Sequence, residues 1–171
     1  AKDTQAACVA ELVAGRGRDL KSFLYLFVDT FVGGGLVLNS HLHGGIHGNA
    51  GAVASLPLQV ASGGAVPEQL LAHASLWELE QHFKASGLDP AAAYDDRALE
   101  GAYAPLTEAW IASAAQGLAQ CVVSGTAFLD LDAVVIDGSF TRAMLKRLID
   151  QTTSALRNYD WEGLWPAKVI A

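Results

Sequence analysis

Two strand-length apolar runs joined by a few glycine-rich residues leave this chain little choice but to turn back on itself. Residues 23–28 read FLYLFV and residues 35–39 read GLVLN, aromatic and branched side chains of the kind that favour strands. Between them DTFVGG is a tight connection, which predicts an antiparallel hairpin. Its glycines bear two readings. A bare backbone can approach a phosphate and present N–H groups to it, which makes Thr30, Gly33, Gly34 and Gly35 candidate phosphate contacts. Three glycines can equally serve a twisted turn with no ligand. A Walker A loop is excluded, because no Lys-Ser/Thr pair follows and the run does not open a helix.

The chain has 171 residues, enough for one domain with a core and too few for two comfortable ones. Half of it is hydrophobic and only 17% is charged, a profile of a sheet covered by helices and not of disorder. A net charge of −7 argues against a nucleic-acid surface, so any DNA-binding element is expected outside this chain. Apolar stretches fall short of a membrane span; the longest, residues 23–39, is interrupted by Asp29 and three glycines. Cys8 and Cys121 stand far apart and form no Cys-x-x-Cys pair, as expected of two reduced, buried thiols in a cytoplasmic protein. The sequence opens at Ala1 with no signal-peptide pattern and is expected to be a piece of a longer protein.

Residues 3–14 read as a short helix with Asp3 placed to cap it, and residues 15–19 as a loop. Residues 40–64 look like one long loop. Pro67 sits where a helix should begin, and that helix is expected to run to a stop at Gly87. Asp89-Pro90 starts a linker, and residues 102–128 form a long helix, apolar all round and expected to be buried. AVVI at 133–136 is a continuous apolar run, as in a parallel strand covered on both faces. Asp137-Gly138-Ser139 then turns the chain into a helix over 141–158, and the tail approaches one more strand. The expected class is α/β, a mixed sheet flanked by helices.

His41, His43 and His47 crowd one short segment, but neither Cys nor carboxylate accompanies them. Solvated histidines or bonds to a small ligand are favoured over a metal. His73 and His82 fall at helix-period positions and read as ordinary helix residues. Asp3 has two roles open to it, a helix cap or a general base that takes a hydroxyl proton during phosphoryl transfer.

The order Asp3, Glu11, GRGR and FLYLFVDTFVGGGLVLNSHLHGGIHGNAGAVASLP resembles the ROK family of repressors, open reading frames and sugar kinases. The later AVVIDGSF is similar to that family's nucleotide-side strand and turn, which points to Asp137 and Gly138. The resemblance covers residues 2–157. It implies a ribonuclease H-like lobe of the actin, hexokinase and Hsp70 type. This chain would be most of the C-terminal lobe, as a single domain. The N-terminal lobe, any winged helix-turn-helix and a last strand and helix would lie outside it. The resemblance assigns Asp3 to the catalytic Asp position and Asn49, Gly51 and His47 to the sugar loop. It also implies a homo-oligomer.

The departures from the family pattern are equally informative. Lys2 stands at the sugar-binding Asn position, Ala52 at the sugar-binding Glu and Ser55 at the His that touches sugar and often zinc. Asp29 and Phe31 replace the first two glycines of the phosphate hairpin. The Cys-rich zinc loop is absent, so neither zinc nor any other metal is expected, and ATP with Mg only if the chain is a kinase. These departures imply a sugar-responsive transcriptional regulator with degraded kinase chemistry. An ATP-dependent sugar kinase is the alternative, and a purely structural role is a third reading.

Overall fold

The computed structural model describes residues 3–58 and 66–171, the side chains of Asp3 and Arg16 excepted. Its centre is β1 (Phe23–Val28), whose unbroken apolar sequence is explained by burial on both faces. Leu24, Leu26 and Val28 point into the larger core, while Phe23 and Tyr25 point into a smaller one around Cys8. This is the alternation that a strand's two-residue period imposes.

β2 (Gly33–Leu38) pairs antiparallel with β1, setting Phe27 opposite Gly33 and Phe23 opposite Val37. β3 (His41–His43) extends the sheet antiparallel beyond β2. On the other side of β1, β4 (Ala133–Gly138) runs parallel to it, and β5 (Lys168–Ile170) runs parallel to β4. The strand order β3-β2-β1-β4-β5 is the ribonuclease H-like arrangement. The hairpin, the parallel buried strand and the strand in the tail are all as expected.

α1 (Asp3–Ala14) covers the Cys8 side of the sheet. The opposite side packs against α3 (Leu76–Ala85), α4 (Ala104–Leu129) and α5 (Arg142–Ala155), with α2 (Leu71–Ala74) alongside. Thr141 caps α5, its hydroxyl accepting the Met144 amide at 3.3 Å. No helix among the described residues is long and apolar enough to cross a membrane.

Several boundaries differ from expectation, each for a local reason. The strand after the turn starts at Gly33, so the three glycines lie inside β2 and the turn is Asp29–Val32 alone. The loop expected over 40–64 is interrupted: His41 and His43 belong to β3 and Val53–Ser55 form a 3-10 turn, while residues 59–64 of it lie outside the described residues. The helix expected from Pro67 starts at Leu71, because Glu68 and Leu70 are engaged in backbone bonds to Leu58 and Leu56. It also breaks at Ser75, whose backbone is extended (φ −91°, ψ 139°). Gly87, at φ +72°, ends the chain's helical course as predicted. The linker after Asp89 and the loop after Gly15 hold short 3-10 turns, Pro90–Tyr94, Asp96–Leu99 and Arg16–Asp19. α4 is buried along one face only: Ser113 and Gln116 are exposed and Phe128 is 87% exposed. Its even hydropathy reflects many alanines and not burial all round. Asp137 and Gly138 close β4, and the turn follows them.

Candidate functional site

The turn Asp29–Val32 is fixed from three directions. The Asp29 carboxylate accepts the amide of Thr30 at 2.8 Å. The Ser75 hydroxyl accepts the amide of Val32 at 3.1 Å. The carbonyls of Asp29 and Thr30 accept the amides of Leu76 and Trp77, the first donors of α3. Helix-terminal N–H groups that would otherwise lack partners thus hold the hairpin tip. The Thr30 hydroxyl shares a 2.9 Å bond with that of Tyr94, which donates to Glu80 at 2.5 Å. Burial and the Glu80 bond push the Tyr94 phenol up to about 12.

A groove of about 400 Å³ opens between the N-terminal turn of α1, this tip and the 49–55 segment. Thr4, Gln5, Phe31, Gly34, Asn49 and Ser55 are among its lining, with Gly33, Gly51 and Ala52. Two walls meet where only glycine fits. A Cβ on Gly51 would lie 2.9 Å from the Gly35 Cα, and one on Gly34 would lie 2.7 Å from the Gly51 carbonyl oxygen. Gly33 and Gly35 face α1, where a Cβ would meet Thr4 at 2.5 Å and Cys8 at 2.7 Å. The glycine run thus has a packing reason that needs no ligand. Gln5 ties α1 to the loop, donating to the Gly48 carbonyl at 3.4 Å.

The structure therefore gathers Gly33, Gly34, Asn49 and Gly51 around one groove, with the Asp3 backbone at the head of the helix that forms one wall. It does not bring the other candidates there. Thr30 turns its hydroxyl to Tyr94, Gly35 is buried under Cys8, and His47 is exposed outside the lining. Asp137 and Gly138 lie beside Phe27 and Val28 at the carboxyl ends of the parallel strands. There Asp137 accepts both the Gly138 amide and the Arg142 guanidinium at 2.9 Å. A Cβ on Gly138 would fall 2.5 Å from the Val28 carbonyl oxygen. Lys2 lies outside the described residues, as does the Asp3 side chain. Among the described residues no three His, Cys, Asp or Glu side chains gather in a way that could hold a metal ion.

Thr4, Gln5 and Ser75 escaped the sequence reading. Ser75 had a signal: Ser-Leu-Trp-Glu over 75–78 is a helix-start pattern. Thr4 and Gln5 had none beyond following Asp3.

This sheet order, with a ligand-sized groove at the hairpin tip, defines a lobe of the actin and hexokinase-like fold. The ROK family model matches residues 1–169, and the chain belongs to the ROK family. A ROK hexokinase from Thermus thermophilus superposes with a TM-score of 0.71 at 24% identity, over 98% of this chain and 59% of that one. A ROK family glucokinase from Streptomyces griseus, in complex with glucose and AMPPNP, gives 0.73 at 18%, over 98% and 60%. A ROK family transcriptional regulator, a homologue of the E. coli MLC protein, gives 0.69 at 16%, over 98% and 46%. At these identities the likeness shows the fold. The chain spans about three-fifths of the two kinases and under half of the regulator. No curated protein matches the sequence.

Proposed function

We propose that this chain is the effector-binding part of a sugar-responsive ROK transcriptional regulator whose phosphoryl-transfer machinery has been lost. One observation carries the reading: the Asp29 carboxylate sits on the Thr30 amide at 2.8 Å. Phosphoryl transfer relies on positioned donors that neutralise developing charge. At this tip a phosphate meets an anion where a donor should be, and like charges repel. The Val32 amide is also taken, by Ser75. In this reading DNA is bound through a domain outside the chain, the protein acts in the cytoplasm as a homo-oligomer, and neither ATP nor zinc is needed.

The sugar-kinase reading rests on Asp3, which matches the family's catalytic position, and on the shared scaffold. A coupled ATP assay on the full-length protein separates the two. Glucose, N-acetylglucosamine, mannose, fructose and xylose serve as acceptors. The regulator reading expects no turnover above background; turnover near one per second or faster, ordinary for enzymes, establishes the kinase.

A further inference from the structure

The geometry points to a second site on this chain: Ser113, His73 and Glu68 form an acyl-transfer triad, with Ser113 as a nucleophile toward small activated esters. The site is independent of the sugar-responsive reading, and its cavity shares no described lining residue with the groove at the hairpin tip.

Glu68 Oε2 lies 2.7 Å from His73 Nε2, and His73 Nδ1 lies 2.9 Å from Ser113 Oγ. The tautomer follows from these partners. An ionised carboxylate only accepts, so in the neutral imidazole Nε2 carries the hydrogen and Nδ1 keeps its lone pair. The Ser113 hydroxyl is then the donor, and its proton faces a base. Carboxylate, imidazole and hydroxyl in that order are the parts of a nucleophilic triad, here with the two ring nitrogens exchanged. Thr126 and Thr152 bond back to carbonyls four residues earlier in their own helices, whereas Ser113 reaches across from α4 to α2. Gly117, one turn further along α4, permits that approach. A Cβ there would lie 2.9 Å from the Leu70 Cδ1 and 3.6 Å from the His73 Cβ. The acid is anchored as well, because the Glu68 carbonyl accepts the Leu58 amide at 2.9 Å.

A cavity of about 310 Å³ opens beside the pair, with Leu58, Gln116, Gln120 and Tyr159 among its lining. That is room for a short acyl ester. Attack on the ester places negative charge on its carbonyl oxygen, which needs donors. The Gln116 amide and the Tyr159 phenol are donors in the same cavity, and burial pushes that phenol above its ordinary value, so it keeps its proton. In acylation the bond from Ser113 Oγ to the carbonyl carbon forms as the hydroxyl proton passes to His73 Nδ1. The bond from that carbon to the leaving oxygen breaks, and the alcohol departs with the proton. Water, deprotonated by His73, then releases the acid and restores the hydroxyl. Ser113 and His73 are the catalytic residues; Glu68 is a positioning residue.

The test uses the full-length protein, p-nitrophenyl acetate and a fluorophosphonate, whose phosphorus bonds a serine oxygen as fluoride leaves. The fluorophosphonate should label Ser113, mapped by peptide mass spectrometry, at least tenfold faster in the native protein than in urea. Ser113→Ala, a small change at an exposed position, should keep the denaturation midpoint and lose both that label and the release of p-nitrophenolate above background. His73→Ala should slow labelling about a hundredfold, the scale of a lost general base, and added imidazole should restore part of it. Glu68→Gln should slow it tenfold or more, and Glu68→Asp less, at unchanged midpoints. Native labelling no faster than in urea, or equal rates in wild type and His73→Ala, overturns the triad and leaves His73 as a tie between α2 and α4. A loss in His73→Ala that imidazole does not restore overturns its role as base. Equal release of p-nitrophenolate by wild type and Ser113→Ala overturns acyl transfer.

Discussion

The hydroxyl of Ser75 accepts the amide of Val32 at 3.1 Å, so the break between two helices holds the tip of a hairpin 43 residues away in sequence. Ser75 is 1% exposed, and its carbonyl accepts the indole N–H of Trp110 at 3.1 Å. Ser75→Ala strands a buried amide, which costs about 1–3 kcal/mol. Urea denaturation should show that loss with an unchanged m-value. A midpoint equal to wild type would mean the amide finds another partner.

Gly51 and Gly48 make a matched pair. Both have positive φ, +76° and +65°, but Gly48 faces open space while Gly51 abuts the Gly35 backbone. Gly48→Ala bears only the left-handed strain, roughly 1–2 kcal/mol. Gly51→Ala adds a clash between two backbones and is expected to cost about 3 kcal/mol or more. Equal losses in the two variants would show that the groove walls separate easily.

Both thiols should be inert in the folded protein. Burial, and secondarily the Glu11 charge, pushes the Cys8 thiol up to about 11; burial alone pushes Cys121 up to about 12. Thiolate is the reactive form, so Ellman's reagent at pH 8 should label neither cysteine until urea is added. Fast native labelling of either would contradict this packing. The same shifts govern alkaline stability. Above about pH 9 the unfolded chain has released protons that the folded chain keeps. Stability is therefore full below that pH and falls toward pH 11, by at most about 1.4 kcal/mol per unit for each thiol.

Zinc is not expected to copurify with the protein. Ser55 offers a hydroxyl where a histidine would be needed, and His41 and His43 are exposed on an edge strand, where His41 shares a 2.7 Å bond with the Asn39 carbonyl. Elemental analysis of full-length protein prepared without chelators should find well under one equivalent. A full equivalent removed only by chelation would reverse the expectation.

The sheet was legible because its strands carry their own pattern. FLYLFV and AVVI are apolar without interruption, and each is buried on two faces. β3 was not legible: a three-residue strand of exposed residues, His-Leu-His, carries no periodicity and exists through its pairing with Leu36–Leu38. The break at Ser75 was hidden because Ala72, Leu76, Leu79 and Phe83 keep a helical spacing across it. For the site, the sequence singled out Gly33, Gly34, Gly51 and Asn49, which the fold gathers around one groove, but not the reason for the glycines. That reason is contact with Cys8, Thr4 and the Gly51 loop, all distant in sequence. Thr30 looked like a ligand contact, and only the fold reveals that Tyr94 occupies its hydroxyl.

The pairing of β1 with β4 sets a timetable for synthesis. Ser22 and Asp132, whose hydrogen bond closes one end of that seam, are 110 residues apart. At about 5–20 residues per second, the ribosome needs on the order of ten seconds to deliver β4 after β1 has emerged. During that interval the central strand has its hairpin partner on one side and an open row of backbone donors and acceptors on the other. The most apolar segment of the sheet is thus a nascent chain's open edge until residue 138 arrives.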